Sequence, residues 1–495
     1  MRPEAVILCG TTLGDEHLRM CLWNWDQLKE SLSTSPIELD PHPLLMTGIT
    51  SAVIERNEDH QITLTTSAES SLDIPEPQRI LGAPERSVER MPFSTPHGRG
   101  VLEGVRMRES HTSWGFKENR SLVTYDVSEV TFQASSDSKP AYTIDCLDNL
   151  PLDFNWPTGF DDNITAQGMR TFDHDKSFQF PISSGREISS YVSIKVSIGK
   201  HVCVLTVAWD DTNDKSRKPL GYLVYTNQPT AIVREKLRNS LSYALGLPLI
   251  YCGSSNYSTS GALCDFTAVT PETINGRAWS MTQMPPAPLT ITMECGYELI
   301  DSEKVSKVAS GIYNNMDSYG LESLPWRLWH ADAAPYFMRP AYYGAIIEGL
   351  QKNYLKSNSK KIDGLLISKV EFNKRSAPLQ KYIKKQEFDP LIENAFLNAL
   401  RNSNSASQAL KSKRFYESLG LKLSELEVAA WQRRNDAAHG NEIPAFKKEE
   451  FIRTTNILRT MLNRIVLSLT NASERYIDYY SYHYPNRALA EHITL

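Results

Sequence analysis

Ser424-Glu425-Leu426-Glu427-Val428-Ala429-Ala430-Trp431-Gln432-Arg433-Arg434-Asn435-Asp436-Ala437-Ala438-His439-Gly440 is the stretch on which the reading of the chain turns. Ser424, with Glu427 three residues on, forms a capping box, in which each side chain satisfies a backbone N–H at a helix start. A helix is therefore expected from Ser424, and Gly440, with Pro444 beyond it, provides a stop. The end of such a helix presents Arg434, Asn435 and His439 close together, beside alanines small enough for tight helix packing.

Working outward, the surrounding sequence from about Pro335 reads as almost entirely helical. Tyr343, Ile346, Ile347, Leu350 and Tyr354 recur at helical spacing, as do Leu391, Ala395, Phe396 and Ala399. A long helix is predicted from Lys448 to about Tyr480, with the stripe Ile452, Thr455, Leu458, Met461, Leu462, Ile465, Val466 and Leu469. Helices of this kind bury one face against partners, so a bundle is the expected architecture. The basic stretch Lys352 to Lys385 connects the first two helices. It reads either as a track for an RNA backbone or as a flexible solvated connection, which Gly364 and Pro378 favour.

The first 230 or so residues have a different texture. Leu45–Ile54, Gln61–Thr66, Val123–Gln133 and Tyr191–Ile198 read as strands, by alternation and β-branched content. His201–Trp209 is more continuously apolar, as expected of a central strand, and Lys218–Thr226 would pair with it across the polar turn Asp210–Lys215. Helical character begins near residue 231, in a segment ended by Gly246. Gly253 to Pro288 reads as a loop rich in Ser, Gly and Pro, followed by a helix from Ser302 to Met316.

A chain of 495 residues exceeds one ordinary core. The expected fold class is α+β and multidomain. A β-rich N-terminal domain (1–230) is followed by a mixed helix and loop region (231–330) and an all-α C-terminal bundle (331–495). The net charge of −5 excludes a polycation that grips nucleic acid indiscriminately, so any RNA site is a local basic patch. No stretch approaches the roughly 20 apolar residues of a membrane span, and Ala5–Cys9 is too short for a signal segment. Seven cysteines without a CxxC pair fit free thiols in a reducing cytoplasm.

An Arg–His pair separated by four to six intervening residues is weak by itself, with about two chance occurrences expected in such a chain. Arg90/His97, Arg106/His111 and Arg487/His492 fall in the same range of separations, in a Pro-rich loop, a strand-like region and the chain terminus. Only Arg434 and His439 lie on a capped helix inside a bundle, with Asn directly after the Arg. In that setting RNDAAH resembles the R-x4-6-H signature of the HEPN superfamily. AYYGAIIEGLQKNYL (341–355) is similar to the first helix of HEPN domains in ApeA-type abortive-infection proteins, which often carry a Glu where Glu348 stands. The resemblance covers roughly residues 335–480, and the β-rich-then-helical layout matches that group more loosely.

The resemblance implies an anti-phage ribonuclease that cleaves RNA, tRNA among its targets, without metal or cofactor, at a site shared across a homodimer. It implies control by the N-terminal region in response to a phage-derived trigger. The chemistry of the residues agrees. RNA supplies its own nucleophile, the 2′-OH. His439 is the one type of side chain with an unperturbed pKa near about 6.5. Arg434 is permanently charged and forks onto phosphate oxygens. Asn435 would hydrogen-bond either group, and Glu348, Arg433 and Asp436 are supporting candidates. The bland alternative makes Arg434 and Asp436 surface charges, and His439 a residue favoured by the helix dipole. The matching functional alternative is a non-catalytic interaction protein that uses the bundle as a dimerisation scaffold.

Other stretches weigh less. In Asp173-His174-Asp175, neighbouring residues on an extended chain point in opposite directions and rarely converge on one ion. Asp210, Asp211 and Asp214 suit a solvated turn. Gly253–Gly261 lacks the Gly-Lys-Ser/Thr end of a phosphate loop.

Overall fold

The apolar alternation of the first half of the chain builds one antiparallel sheet. In this computed structural model the described residues are 27–32, 36–69, 87–114, 119–135, 138–150, 155–163, 169–172, 175–181, 189–208, 220–271, 287–293, 299–358, 364–438 and 448–494. Among them, sixteen strands join in a single sheet. Its centre is a long hairpin, in which Gly98–Trp114 pairs with Asn119–Val127 and then, in almost the same register, with Glu129–Ala134. There the sheet forks. Asn119–Val127 continues into Ile62–Glu69 and Ile49–Arg56. Glu129–Ala134 continues instead into Leu263–Val269, Ile250–Tyr257, Tyr142–Asp148, Leu220–Tyr225, His201–Ala208 and Ser189–Ile198.

The fork leaves backbone groups that no ladder satisfies, and side chains take their place. Thr270 Oγ1 donates to Val127 O (2.7 Å) and accepts from Ile62 N (3.0 Å). Arg56 reaches across to Val269 O (2.9 Å) and Cys252 O (2.8 Å). One core fills the fork around Leu64, Val105, Tyr125, Val130, Phe132 and Phe266, closed by Leu28 and Leu32 of a short helix, α1 (Gln27–Leu32).

The second arm of the sheet is covered by α2 (Ala231–Leu245) and α3 (Ser302–Tyr319). Strand Leu220–Tyr225 is buried along its whole length, as expected of a strand covered on both faces. Leu223 and Tyr225 face the helices, while Tyr222 and Val224 join Ile144 and Val204 in a separate cluster on the other side. The helices then continue as α4 (Leu324–Ala333), α5 (Arg339–Ser357), α6 (Lys369–Lys385), α7 (Pro390–Asn402), α8 (Gln408–Ser418), α9 (Glu425–Ala438) and α10 (Lys448–Leu469). α5, α9 and α10 pack on one another. Tyr343, Ile347 and Leu350 meet Leu458, Leu462 and Ile465 in a core continuous with the sheet-facing helices. Each such buried side chain contributes about 1.5–3 kcal/mol relative to exposure. Among the described residues no helix is long and apolar enough to cross a membrane.

Most predicted elements are present with shifted ends, and the differences have local causes. The strand expected at Leu45–Ile54 begins at Ile49, and Leu45 and Met46 are buried from turns instead. Val123–Gln133 is broken at Ser128, where the sheet divides. The expected loop Gly253–Pro288 carries two strands, Ile250–Tyr257 and Leu263–Val269. Gly253 is required there, because a Cβ would lie 2.3 Å from Thr267 O. The stretch expected to be a flexible connection is helical from Lys369 to Lys385, capped by Ser368 and with Pro378 inside it. The long helix stops at Leu469 rather than near Tyr480. Asn471 takes a left-handed conformation, and Arg475–Ile477 pairs with Asn486–Ala488. Asp173, His174 and Asp210–Lys215 lie outside the described residues.

The capping box forms as read. Glu427 N donates to Ser424 Oγ (3.3 Å), and Ser424 N donates to Glu427 Oε2 (2.7 Å). Its second carboxylate oxygen binds Arg464 of α10, with side-chain exposures of 0% and 1%. Burial pushes the Glu427 carboxyl above its usual range, against the pull of Arg464 and the Ser424 donors. Glu427→Gln leaves a charged Arg464 sealed without its counter-ion. Urea denaturation should then show a loss of about 3–5 kcal/mol; a loss below about 1 kcal/mol would show the pair to be dispensable.

Candidate functional site

Two elements build the site, α5 and the second half of α9. The capping box sets the register of α9, and the one-face rule of a helix then carries Arg434 toward α5 rather than solvent. Arg434 is 8% exposed. One terminal nitrogen donates to Trp431 O, the other to Glu348 Oε1 on α5. The guanidinium carbon sits 3.5 Å from the centroid of the Trp431 ring, which places the cation on an aromatic face in a desolvated setting.

The close approach of the two helices depends on Gly344, one turn before Glu348. A Cβ at that position would lie 2.5 Å from Arg434 Cδ. Arg434 is thus fixed from below by a missing side chain, on one face by an indole and at its tip by a carboxylate. Glu348 is itself half-exposed, so the tip of the pair faces outward while the stem is buried.

The other candidates divide. Arg433 faces away from Arg434 and pairs with Glu450 of α10 at 3.0 Å, both side chains open to solvent. Asn435 and Asp436 lie on the described helical backbone, with side chains outside the described set. His439 follows Ala438, the last described residue of α9, and is itself outside the described residues, as is the stop expected at Gly440. Among the described residues, the site geometry is therefore that of Arg434 with Glu348.

Three features escaped the sequence reading. Trp431 and Gly344 each carried a usable signal: Trp431 lies one turn before Arg434, and Gly344 one turn before Glu348. The other is a buried polar triad beneath the site. Tyr343 donates to Asp332 Oδ1 (2.8 Å), and Arg459 donates to Tyr343 Oη (2.9 Å) and to the same carboxylate oxygen. It ties α4, α5 and α10 together, and no local pattern announces residues so far apart. Beside Arg434 a groove of about 750 Å³ runs between α8 and α9, lined by Tyr416, Leu421, Leu423, Val428 and Trp431.

Chemically, the arrangement offers a permanently charged, planar donor held in one orientation, which is what recognition of a phosphate or carboxylate requires. No family model, curated protein or solved structure matches the chain.

Gly344→Ala tests the packing directly. The added methyl meets the buried stem of Arg434, and overpacking of this kind costs about 1–3 kcal/mol. The expected outcome is a lower denaturation midpoint together with a change in Trp431 fluorescence. An unchanged spectrum and stability would show that Arg434 is not seated on Gly344.

Proposed function

We propose that the chain is a metal-independent endoribonuclease of HEPN type, with Arg434 and His439 as its reacting pair. The observation that carries this reading is the seat of Arg434. A surface arginine has no need of a glycine beneath it, an indole beside it and a carboxylate at its tip. A phosphate-binding arginine has, because pre-organised donors stabilise developing charge without reorganising.

In this reading His439 takes the proton of the RNA 2′-OH, whose oxygen attacks the adjacent phosphorus. The P–O5′ bond breaks, and protonated His439 returns that proton to the leaving oxygen. The products are a 2′,3′-cyclic phosphate and a 5′-OH end. Arg434 bears on the phosphate oxygens, with Glu348 positioning it and Asn435 bonding either partner. Arg433 and Asp436 are supporting residues in this reading, Arg433 through its pairing with Glu450. The resemblance supplies the setting: abortive infection in the cytoplasm, RNA and among it tRNA as substrate, two bundles pairing as a homodimer, and an N-terminal region that answers a phage-derived trigger.

A second reading, a non-catalytic interaction protein, draws on α6 and α7. The stripe Leu391, Ala395, Phe396 and Ala399 read as a buried face is open to solvent, and Leu379, Tyr382 and Ile392 are exposed beside it. Such a face suits a partner as well as a nuclease domain's neighbour.

Purified protein decides between them. His439→Ala should lower RNA cleavage by about 10²–10⁴ and Arg434→Ala by about 10²–10³, with circular dichroism unchanged. Wild-type rates in His439→Ala would sink the ribonuclease reading. Chelation by EDTA should leave cleavage intact; strict sensitivity to EDTA would point to a metal nuclease instead. Mixing the two variants should restore part of the activity if each site draws on both subunits.

A further inference from the structure

A cavity of about 270 Å³ opens between the first turns of α2, the strands Glu129–Ala134, Ile250–Tyr257 and Leu263–Val269, and Trp326 of α4. Its floor is ionic. Asp145, fully buried, has Arg234 Nε 3.0 Å from one carboxylate oxygen and Arg238 bonded to the other. Tyr225 donates its hydroxyl to the same carboxylate at 2.7 Å. One carboxylate against two guanidiniums leaves a positive charge over, in a place largely closed to water.

The two arginines are not equivalent. Arg234 engages its remaining nitrogens with Pro229 O (3.3 Å) and Ser254 Oγ (3.0 Å). Arg238, 8% exposed, lies 4.0 Å from the centroid of the Tyr251 ring. Among the described residues, its Nε and second terminal nitrogen have no hydrogen-bond partner, and Arg238 is one of the residues that line the cavity. Two adjacent N–H groups of a guanidinium form the fork that fits a carboxylate or phosphate.

The walls carry the opposite sign. Glu129 and Glu235 line the same cavity. Burial, with Glu103 nearby, pushes the Glu129 carboxyl above its usual range, a cost that a neighbouring cation would offset. A plain anion would meet these carboxylates, and a plain cation would meet the arginines; a ligand with both charges meets each with its opposite. The volume falls below the roughly 300–1,000 Å³ of sites for drug-sized ligands. The geometry points to a binding site for a small zwitterion, a free α-amino acid, its carboxylate on Arg238 and its ammonium on Glu129 and Glu235. Trp326 supplies an apolar wall for the side chain. The site stands independently of the ribonuclease reading.

Calorimetric titration of the full chain against each of the common amino acids tests this. At least one should bind, and its decarboxylated amine and its N-acetyl derivative, each with one charge, should bind at least about tenfold more weakly. Glu235→Lys reverses a wall charge at an exposed position, and Ala231→Trp fills the rim; both should abolish binding with circular dichroism unchanged. No binding by any amino acid at millimolar concentration overturns the assignment. So does equal binding by the singly charged derivatives or by inorganic phosphate, or binding untouched by both substitutions.

Discussion

The helical half of the molecule depends on one buried ion pair, Glu427 with Arg464. Removing both charges from water costs several kcal/mol per ion before any attraction is counted, so such a pair persists only where further hydrogen bonds complete it. Here they do. Glu427 also accepts from Ser424 N, and Arg464 also donates to Lys422 O and Leu489 O at 3.2 Å. The start of α9, the last third of α10 and the segment after the C-terminal strands thus converge on two side chains. An apolar contact would hold those elements together but would tolerate sliding. The charged pair, with its fixed donors, sets their register.

Registers set in this way recur through the fold. Asp332 holds α4, α5 and α10 through Tyr343 and Arg459, and Asp145 holds the sheet to α2 through Arg234 and Arg238. In each case one carboxylate, nearly or fully buried, serves more than one element. The apolar core between them is continuous from Leu205 and Leu223 of the sheet to Leu462 and Ile465 of the bundle. Hydrophobic burial supplies most of the stabilisation, and the three carboxylates decide which packing it stabilises.

What the sequence disclosed follows from the range of the interactions. The capping box at Ser424 and Glu427, the Gly246 cap and the stripe of α10 from Thr455 onward are local, and local patterns are readable, although Ile452 at the start of that stripe is exposed. The alternation of Ile194, Val196 and Ile198 was readable for the same reason. The strand Ile250–Tyr257 was not, because its small polar residues look like a loop. Ser254 and Ser255 are nevertheless buried inside the sheet, and Gly253 is there for a neighbour's backbone. Pro378 and the basic residues around it suggested a connection, while the Ser368 cap carried a helix through them. At the site, Arg434 and Glu348 were legible as candidates, since both belong to recognisable helices. Their contact was not, because it depends on a glycine and an indole whose roles appear only when two helices meet.

Arg434 has a mechanical consequence. Its helix is clamped at the first turn, where Ser424, Glu427 and Arg464 leave no freedom to translate. Ten residues from the capping serine, it rests against α5 through Gly344 and Glu348. A rod pinned at one end and touching a neighbour further along has a single soft motion, a swing about the pin. A shift of α5 against α10 would therefore turn α9 about that pivot, and the linear displacement it produces grows with distance from the pin. The last described turn of α9, ending at Ala438, lies where that lever arm is longest.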